Sequence, residues 1–356
     1  MPWRAARENG ILPGSKTKKS REEQLMSTRR ALLGASLAMP ALALPFSARA
    51  QGAGTTAWPE RPVRFIVPYP PAGSTDLLSR LLAERMGQKF GQNFVIENRP
   101  GAGGNIGMDA IAKAAPDGYT MGAATIGHFS INQYLYSSMP WDIDKDFSVL
   151  GLTWEFPNVL VVATQHCPAT TLQEFVAWVK KRPNGASFGS PGVGTTPHLS
   201  GEIFRNRLQL DATHVPFRGA AQTIPAMLSG DVTFAIDNLA SYVPVIQEGR
   251  MRALAVTGAQ RWPTLPNVPT MAEAGVDDFV ITSWGAFVAP ANTPRPIVNK
   301  VNGALKEISA DEGLKARFLQ AGALTLWSTP EDAVARGKAE RPMWQAAVKA
   351  SGARAD

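Results

Sequence analysis

Apolar positions along the chain follow two alternating rhythms. Val63-Arg-Phe-Ile-Val67 is a β-branched and aromatic run that predicts a buried strand. Prolines and Gly73 then turn the chain, and apolar residues return at 77, 78, 81, 82 and 86, the spacing of one helix face. Ser74, Thr75 or Asp76 is placed to cap that helix. The alternation continues with a strand at 94–97, the glycine-rich turn Asn98-Arg-Pro-Gly-Ala-Gly-Gly-Asn105 and a helix over 106–114. A strand at 119–125, a short helix at 128–136 and an apolar strand at 158–163 follow.

A second set begins with the capping box Thr171-Leu-Gln-Glu174, which opens a helix over 172–181. Strands are predicted at 186–190, 213–216, 232–236 and 252–257, with helices at 199–207 and 220–228. Residues 261–269 carry too many prolines for a helix or a central strand. Thr270-Met-Ala-Glu273 restarts a short helix, 283–289 reads as a strand, and Thr293-Pro294 opens a helix over 295–309. Ser309-Ala-Asp-Glu312 and Thr329-Pro-Glu-Asp332 start the last two helices. Strands alternating with helices predict an α/β fold with mainly parallel sheets.

Residues 1–50 read as an export leader. Arg29-Arg30 precede an apolar run that is too short and too proline-broken for a membrane span, and Ala48-Arg-Ala50 supplies the small residues of a cleavage site after Ala50. Thr28-Arg29-Arg30-Ala-Leu-Leu33 resembles a twin-arginine signal with Leu32 in place of the usual Phe, so the ordinary secretion route stays open. Met26 is the expected true start. This leader holds nine Lys/Arg and three Asp/Glu, six of the formal seven net positive charges. Residues 51–356 are therefore near neutral, and nothing in them asks for nucleic acid or an acidic membrane surface. Cys167 is the single cysteine, so no intrachain disulfide forms. The four histidines have no metal-ligand spacing.

The chemistry lies in a repeated device. The first strand, turn and helix start leave backbone N–H groups without partners, at the positive end of a helix dipole, which suits a small anion such as a carboxylate. No phosphate-loop lysine is present. Ala186-Ser-Phe-Gly-Ser-Pro-Gly-Val-Gly-Thr-Thr-Pro-His198 repeats the pattern, with Gly192 and Gly194 admitting close backbone approach and Ser190, Thr195 and Thr196 offering hydroxyls. Two such turns, each in its own βα set, suggest two lobes facing a shared cleft that an anion would close. Gly101-Ala-Gly-Gly-Asn-Ile-Gly107 has its third glycine one residue late for a dinucleotide fingerprint and reads as a packing turn. Asp237 faces a ligand or caps the helix beginning near Ser241. Asp76 reads as a helix-start residue, Arg218 as a partner for a distal carboxylate or a surface ion, and Trp58, Trp141, Trp284 and Trp344 as packing residues.

Pro68-Tyr-Pro-Pro-Ala-Gly-Ser-Thr-Asp76, Asn98-Arg-Pro-Gly-Ala-Gly-Gly-Asn-Ile-Gly107, Pro116-Asp-Gly-Tyr-Thr120, Ser190-Pro-Gly-Val-Gly-Thr-Thr-Pro-His198, Val215-Pro-Phe-Arg-Gly219 and Leu265-Pro-Asn-Val-Pro-Thr-Met-Ala-Glu-Ala-Gly275 together resemble the periplasmic solute receptors of tripartite tricarboxylate transporters, the Bug family. The resemblance implies a type II periplasmic-binding-protein fold: two α/β lobes joined by two crossover strands, with the ligand cleft between them. By position it gives lobe 1 as 58–163 plus 252–330, lobe 2 as 164–251, and 331–356 as a C-terminal helix near the hinge. It implies a small carboxylate held by Tyr69, Ala72, Gly73 and Ser74 of the first loop, by Ser190, Gly192, Gly194, Thr195 and His198 of the second, and by Thr125 and Asp237. Ser74 departs from the family's usual second glycine and adds a β-carbon and a hydroxyl to the pocket. No cofactor and no catalysis are implied; the partners are the ligand and the membrane subunits of a transporter, and the exported chain is expected as a soluble periplasmic monomer. Two rivals remain: an exported hydrolase with Ser190 or His198 in the cleft, and a partner that presents its ligand to a membrane sensor kinase.

Overall fold

The computed structural model describes residues 57–355, so the expected leader, its cleavage site and Met26 lie outside the described residues. The first half runs β1 (Val63–Val67), α1 (Ser74–Phe90), β2 (Phe94–Asn98), α2 (Asn105–Ala112), β3 (Thr120–Thr125), a π-helical turn at Gly127–Ile131, α3 (Asn132–Leu135) and β4 (Phe147–Ala163). Then come α4 (Leu172–Lys180), β5 (Ala186–Ser190), α5 (Thr196–Leu208), β6 (Ala212–Pro216), α6 (Ala220–Ser229), β7 (Phe234–Asn238), α7 (Leu239–Gln247) and β8 (Met251–Val256). The chain closes with β9 (Thr282–Pro290), α8 (Arg295–Ser309), α9 (Glu312–Gln320), β10 (Leu324–Thr325) and α10 (Pro330–Ser351).

Strand order is β2-β1-β3-β9-β4-β7-β5-β6, with β8 and β10 also pairing with β4. Pairs made by β1 and β5 are parallel, as βαβ crossovers require. Every pair made by β4 is antiparallel, and so is β3 with β9. The sheet is therefore mixed rather than mainly parallel. The cause is β4, a 17-residue strand whose first part pairs with β9 and whose last part, from Asn158, pairs with β7 and β8. Its first eleven residues escaped the sequence pattern because Gly151 and Pro157 read as breakers; Gly151 sits at φ 132, where the register with β9 shifts.

Local chemistry sets the element ends. In α1 the buried stripe is Leu78, Leu82, Ala83 and Met86, whereas Leu77 is turned out to solvent. Gly91 ends α1 in the left-handed region at φ 68, its N–H donating to the Gly87 carbonyl at 2.9 Å. The cap of α1 is Gly73, without a side-chain bond, and not the hydroxyl or acid that follows it. Thr171, Thr195, Asp311 and Thr329 do cap α4, α5, α9 and α10 through their side chains. Thr270 and Glu273 form both bonds of their capping box, Glu273 N–H to Thr270 Oγ1 at 3.1 Å and Thr270 N–H to Glu273 Oε2 at 2.8 Å, but only a turn follows.

Two apolar clusters carry the packing near the site. Phe65, Phe287, Trp154 and Phe156 sit on one side of the first strands, with the Phe65 and Phe287 rings 4.4 Å apart. Trp284, Phe129 and Trp344 pack with α10 on the other. Each such ring, fully buried, contributes roughly 1.5–3 kcal/mol. α10 is also tied polarly: Glu340 accepts from Trp284 Nε1 at 3.0 Å, Arg336 pairs with Glu155 at 2.6 Å, and Gly337 accepts from Ser130 Oγ at 2.7 Å. Among the described residues no helix is long and apolar enough to cross a membrane.

Candidate functional site

Strands β1, β5, β6 and β7 each deliver the chain, at their C-terminal ends, into a turn that starts a helix. The first turns of α1, α5, α6 and α7 converge on one cavity of about 90 Å³. Its wall includes Gly73, Ser74 and Thr75; Thr195 and Thr196; Gly219, Ala220 and Ala221; and Asn238 and Ser241. Four helix starts therefore share one wall, and the first N–H groups of a helix, which have no intrahelical acceptor, favour negative charge without a cation. Among the described residues lining the cavity there is no Lys, Arg or His. Apolar sides are supplied by Ile126, Trp154, Phe156 and Trp284.

Hydroxyls line the remainder. Tyr69 and Thr125 share a hydrogen bond of 2.9 Å; burial, partly offset by that bond, pushes the Tyr69 phenol up to about 12, so it stays a neutral donor. Ser74 Oγ and Ser241 Oγ are 2.7 Å apart and join the start of α1 to α7. Ser283 ties together three elements, bonding Thr196 Oγ1, donating to Asn238 Oδ1 at 3.1 Å and approaching Asn158 Oδ1 at 3.5 Å. Trp154 Nε1 is buried without a hydrogen-bond partner among the described residues. Asp237 is the one ionised-type side chain in the wall; it is fully buried, with Oδ1 accepting from Asn238 N–H at 2.7 Å and Oδ2 from Tyr242 OH at 3.0 Å. Burial, only partly countered by these bonds, raises its pKa to about 7. Asp237 thus does not cap α7, which starts at Leu239 after Asn238.

Of the residues expected from sequence, Tyr69, Gly73, Ser74, Thr125, Thr195 and Asp237 stand together in this wall. Ala72, Ser190, Gly192, Gly194 and His198 do not line it. Ala72 is exposed at φ 64, and its N–H is taken by Asp76 Oδ2 at 3.0 Å. Asp76 also holds Asn98 and Arg80, so it braces the loop as a helix-start residue. The second loop spends its polar groups on itself. The Gly192 carbonyl accepts from Ser190 Oγ at 3.1 Å and from Thr195 Oγ1 at 2.7 Å, while Gly194 N–H donates to His198 Nδ1 at 3.0 Å. Beneath it His198 and His214 stack with centroids 3.9 Å apart, and His214 Nε2 lies 2.7 Å from Ser190 Oγ. Burial holds the two imidazoles neutral, down to about 4 and about 3. Arg218 is exposed and off the cavity.

Residues that sequence reasoning passed over are Asn238, Ser241, Ser283, Trp154 and the start of α6. One signal was available, since Asp237-Asn238 and Gly219-Ala220 both sit at strand-to-helix junctions like the two loops that were recognised. Trp284, read as a packing residue, is both packed and part of the wall.

Comparison with known proteins places this architecture. Residues 78–348 match the family described as tripartite tricarboxylate transporter family receptor. BugT of Bordetella pertussis is 32% identical over 330 residues, covering 92% of this chain and 99% of that protein. The structure of R. palustris Rpa4515 with adipate is 35% identical, with a TM-score of 0.80 over 83% of this chain and 98% of that one. MatC from Rhodopseudomonas palustris with bound malate is 31% identical, with a TM-score of 0.75 over 82% of this chain and 100% of that one. The fold is thus the α/β fold of periplasmic binding proteins, in the type II form that the sequence blocks implied. With the family profile spanning most of the chain and relatives covered nearly end to end, this protein belongs to the tripartite tricarboxylate transporter receptor family, the Bug proteins among them.

Proposed function

We propose that this chain is an exported periplasmic receptor that encloses a small organic carboxylate and hands it to the membrane subunits of a tripartite transporter, without chemical change to the ligand. The observation that carries the reading is the convergence of four helix N-termini on a hydroxyl-lined, cation-free cavity, which suits a compact anion. The adipate and malate of the related structures have that chemistry. In the proposed site Gly73, Ser74, Thr75 and Tyr69 face Thr195, Thr196, Asn238 and Asp237 across the ligand.

Two lobes are part of the same proposal, with 58–163 and 252–330 in one, 164–251 in the other and α10 beside the hinge. Strand pairing supports moving the crossings to Pro157 and Thr257, since from Asn158 onward β4 pairs with β7 and β8 rather than with β9. Contacts that would span the lobes are Ser74 with Ser241, and Leu135 and Pro70 against Gly194 and Gly219. A ligand touching both sides binds the closed arrangement more tightly, which is what closes a hinge.

The hydrolase rival would use the Ser190–His214 contact. Against it, Ser190 is fully buried off the cavity, and its hydroxyl is engaged by the Gly192 carbonyl, with His214 stacked between Phe188 and His198. A thermal-shift panel of dicarboxylates, tricarboxylates, aromatic acids and amino acids tests the reading, with mass spectrometry of the recovered ligand. A stabilising acid recovered unchanged supports a receptor; a consumed one refutes it.

A further inference from the structure

The cavity that attracts an anion also contains a buried acid. Asp237 lies in the wall with no exposed surface, and no described cation pairs with it. Its partners are the Asn238 N–H and the Tyr242 hydroxyl, two neutral donors. From β4 it faces Val159, and Asn238 beside it faces Asn158, neither of them titratable. From α7 the titratable neighbour is Tyr242, whose own ionisation is pushed up by burial and by Asp237. The other ionisable group in the cavity wall is the neutral phenol of Tyr69. A ligand carboxylate entering this space meets four helix N-termini that favour it and one carboxyl that, if ionised, repels it at low dielectric.

Resting on the carboxylate reading above, we infer that Asp237 is the specificity-setting group of the cavity and that it admits a carboxylate ligand only as the neutral acid, so that capture takes up one proton from solvent. Both Asp237 oxygens already accept a neutral donor, and each keeps a lone pair. The proton added there removes the charge that repels the ligand, and the complex carries only the ligand's own charge. Burial already places Asp237 near pH 7, and a ligand anion beside it raises it further. Below about pH 6 the group is neutral before binding and affinity is flat. Above about pH 7 the proton must be taken up on binding, and affinity falls by up to about tenfold per pH unit. Selection follows: an acid without an ammonium fits beside neutral Asp237, whereas a ligand that brings an ammonium finds no anion there to pair with and is disfavoured.

The test is calorimetry of the purified protein with adipate, malate and glutamate, at pH 5.5 and pH 8, in pairs of buffers that differ in ionisation enthalpy. For adipate or malate, whose carboxyls are fully ionised at pH 8, uptake of about one proton is expected at that pH, while at pH 5.5 wild type and Asp237→Asn should exchange equal numbers of protons. Asp237→Asn, checked for folding by its melting curve, should bind them at pH 8 without proton uptake. Wild-type binding of either acid at pH 8 without proton uptake overturns the inference while leaving the receptor reading intact. So does tighter binding of glutamate without uptake, which would assign an ionised Asp237 to an ammonium. If no acid of a broader carboxylate panel binds at pH 5.5, the carboxylate reading itself fails and takes this inference with it. Should Asp237→Asn not fold, the wild-type heats alone decide.

Discussion

Replacing Gly73 by valine separates ligand binding from folding. Gly73 caps α1 at φ −83 and ψ 168, an extended conformation that any residue adopts, and a Cβ there would meet nothing nearer than the Pro70 carbonyl at 3.8 Å. The fold therefore accepts the side chain, losing about 0.5–1 kcal/mol for an apolar residue at a helix cap, or a fall of roughly 2–3 °C in melting temperature. Gly73 lines a cavity of about 90 Å³, however, and three added carbons occupy the space where the carboxylate must meet the α1 amides. Affinity for the best acid of the panel should drop at least about a hundredfold, equivalent to roughly 2.8 kcal/mol. Gly194 behaves differently, although the sequence makes the two look equivalent. At φ 79, with a Cβ that would lie 1.9 Å from Leu135 Cδ1, valine at 194 brings backbone strain and overpacking of about 1–3 kcal/mol each. Its melting temperature should fall by more than about 5 °C. Calorimetry and melting curves on both variants decide the matter. Wild-type affinity in Gly73→Val, or a Gly194→Val that melts like wild type, would refute this placement of the two loops.

Ser74→Gly removes the hydroxyl bond to Ser241; losing about 1 kcal/mol of closing contact should speed ligand dissociation roughly fivefold in stopped flow, and an unchanged rate would show that the pair does not hold the closed form. Arg336→Gln leaves Glu155 without its ion pair and removes a guanidinium 5.1 Å above the Trp284 ring, so stability should fall by about 1–3 kcal/mol in denaturant titrations, with weaker ligand binding because Trp284 lines the cavity. Burial holds His198 near 4 and His128 and His214 near 3, all below the unfolded value of 6.5. Their contribution is full above about pH 6.5 and is lost as pH falls towards 4, by up to about 1.4 kcal/mol per pH unit for each. Asp237, raised to about 7, acts in the opposite sense, its contribution being lost as pH rises from about 4 to 7. Because three imidazoles outweigh one carboxyl, the melting temperature should decline between pH 6.5 and 4.5, and a flat or rising profile would contradict the assignment of buried neutral imidazoles.

The strand and helix alternation was legible because each βα unit is local: β1 with α1, β5 with α5 and β6 with α6 all stand where the apolar periodicity places them. What escaped is non-local. The first part of β4 is held by pairing with β9, more than a hundred residues away, and that pairing overrides the breaker signals of Gly151 and Pro157. The site shows the same division. Gly73, Ser74 and Thr195 were readable from the chemistry of a turn before a helix, and Tyr69, Thr125 and Asp237 came with the family resemblance. Ser283, Asn238 and Trp154 reach the cavity only because β4, β7 and β9 lie side by side. Gly192, Gly194 and His198, expected at the ligand, do not line the cavity. A sequence shows that a loop's amides are available, but not that its neighbouring hydroxyls and histidines will claim them.

The central claim is that amides and hydroxyls at the starts of α1 and α5 hold a carboxylate from opposite sides. The direct test is a crystal structure of protein stripped of ligand and then soaked with adipate or with the most stabilising acid. One carboxylate should lie between the Gly73–Thr75 and Thr195–Thr196 segments, its oxygens about 3 Å from backbone nitrogens, directly or through one water. An acid bound outside this cavity, or held there by a Lys or Arg side chain, would contradict the account.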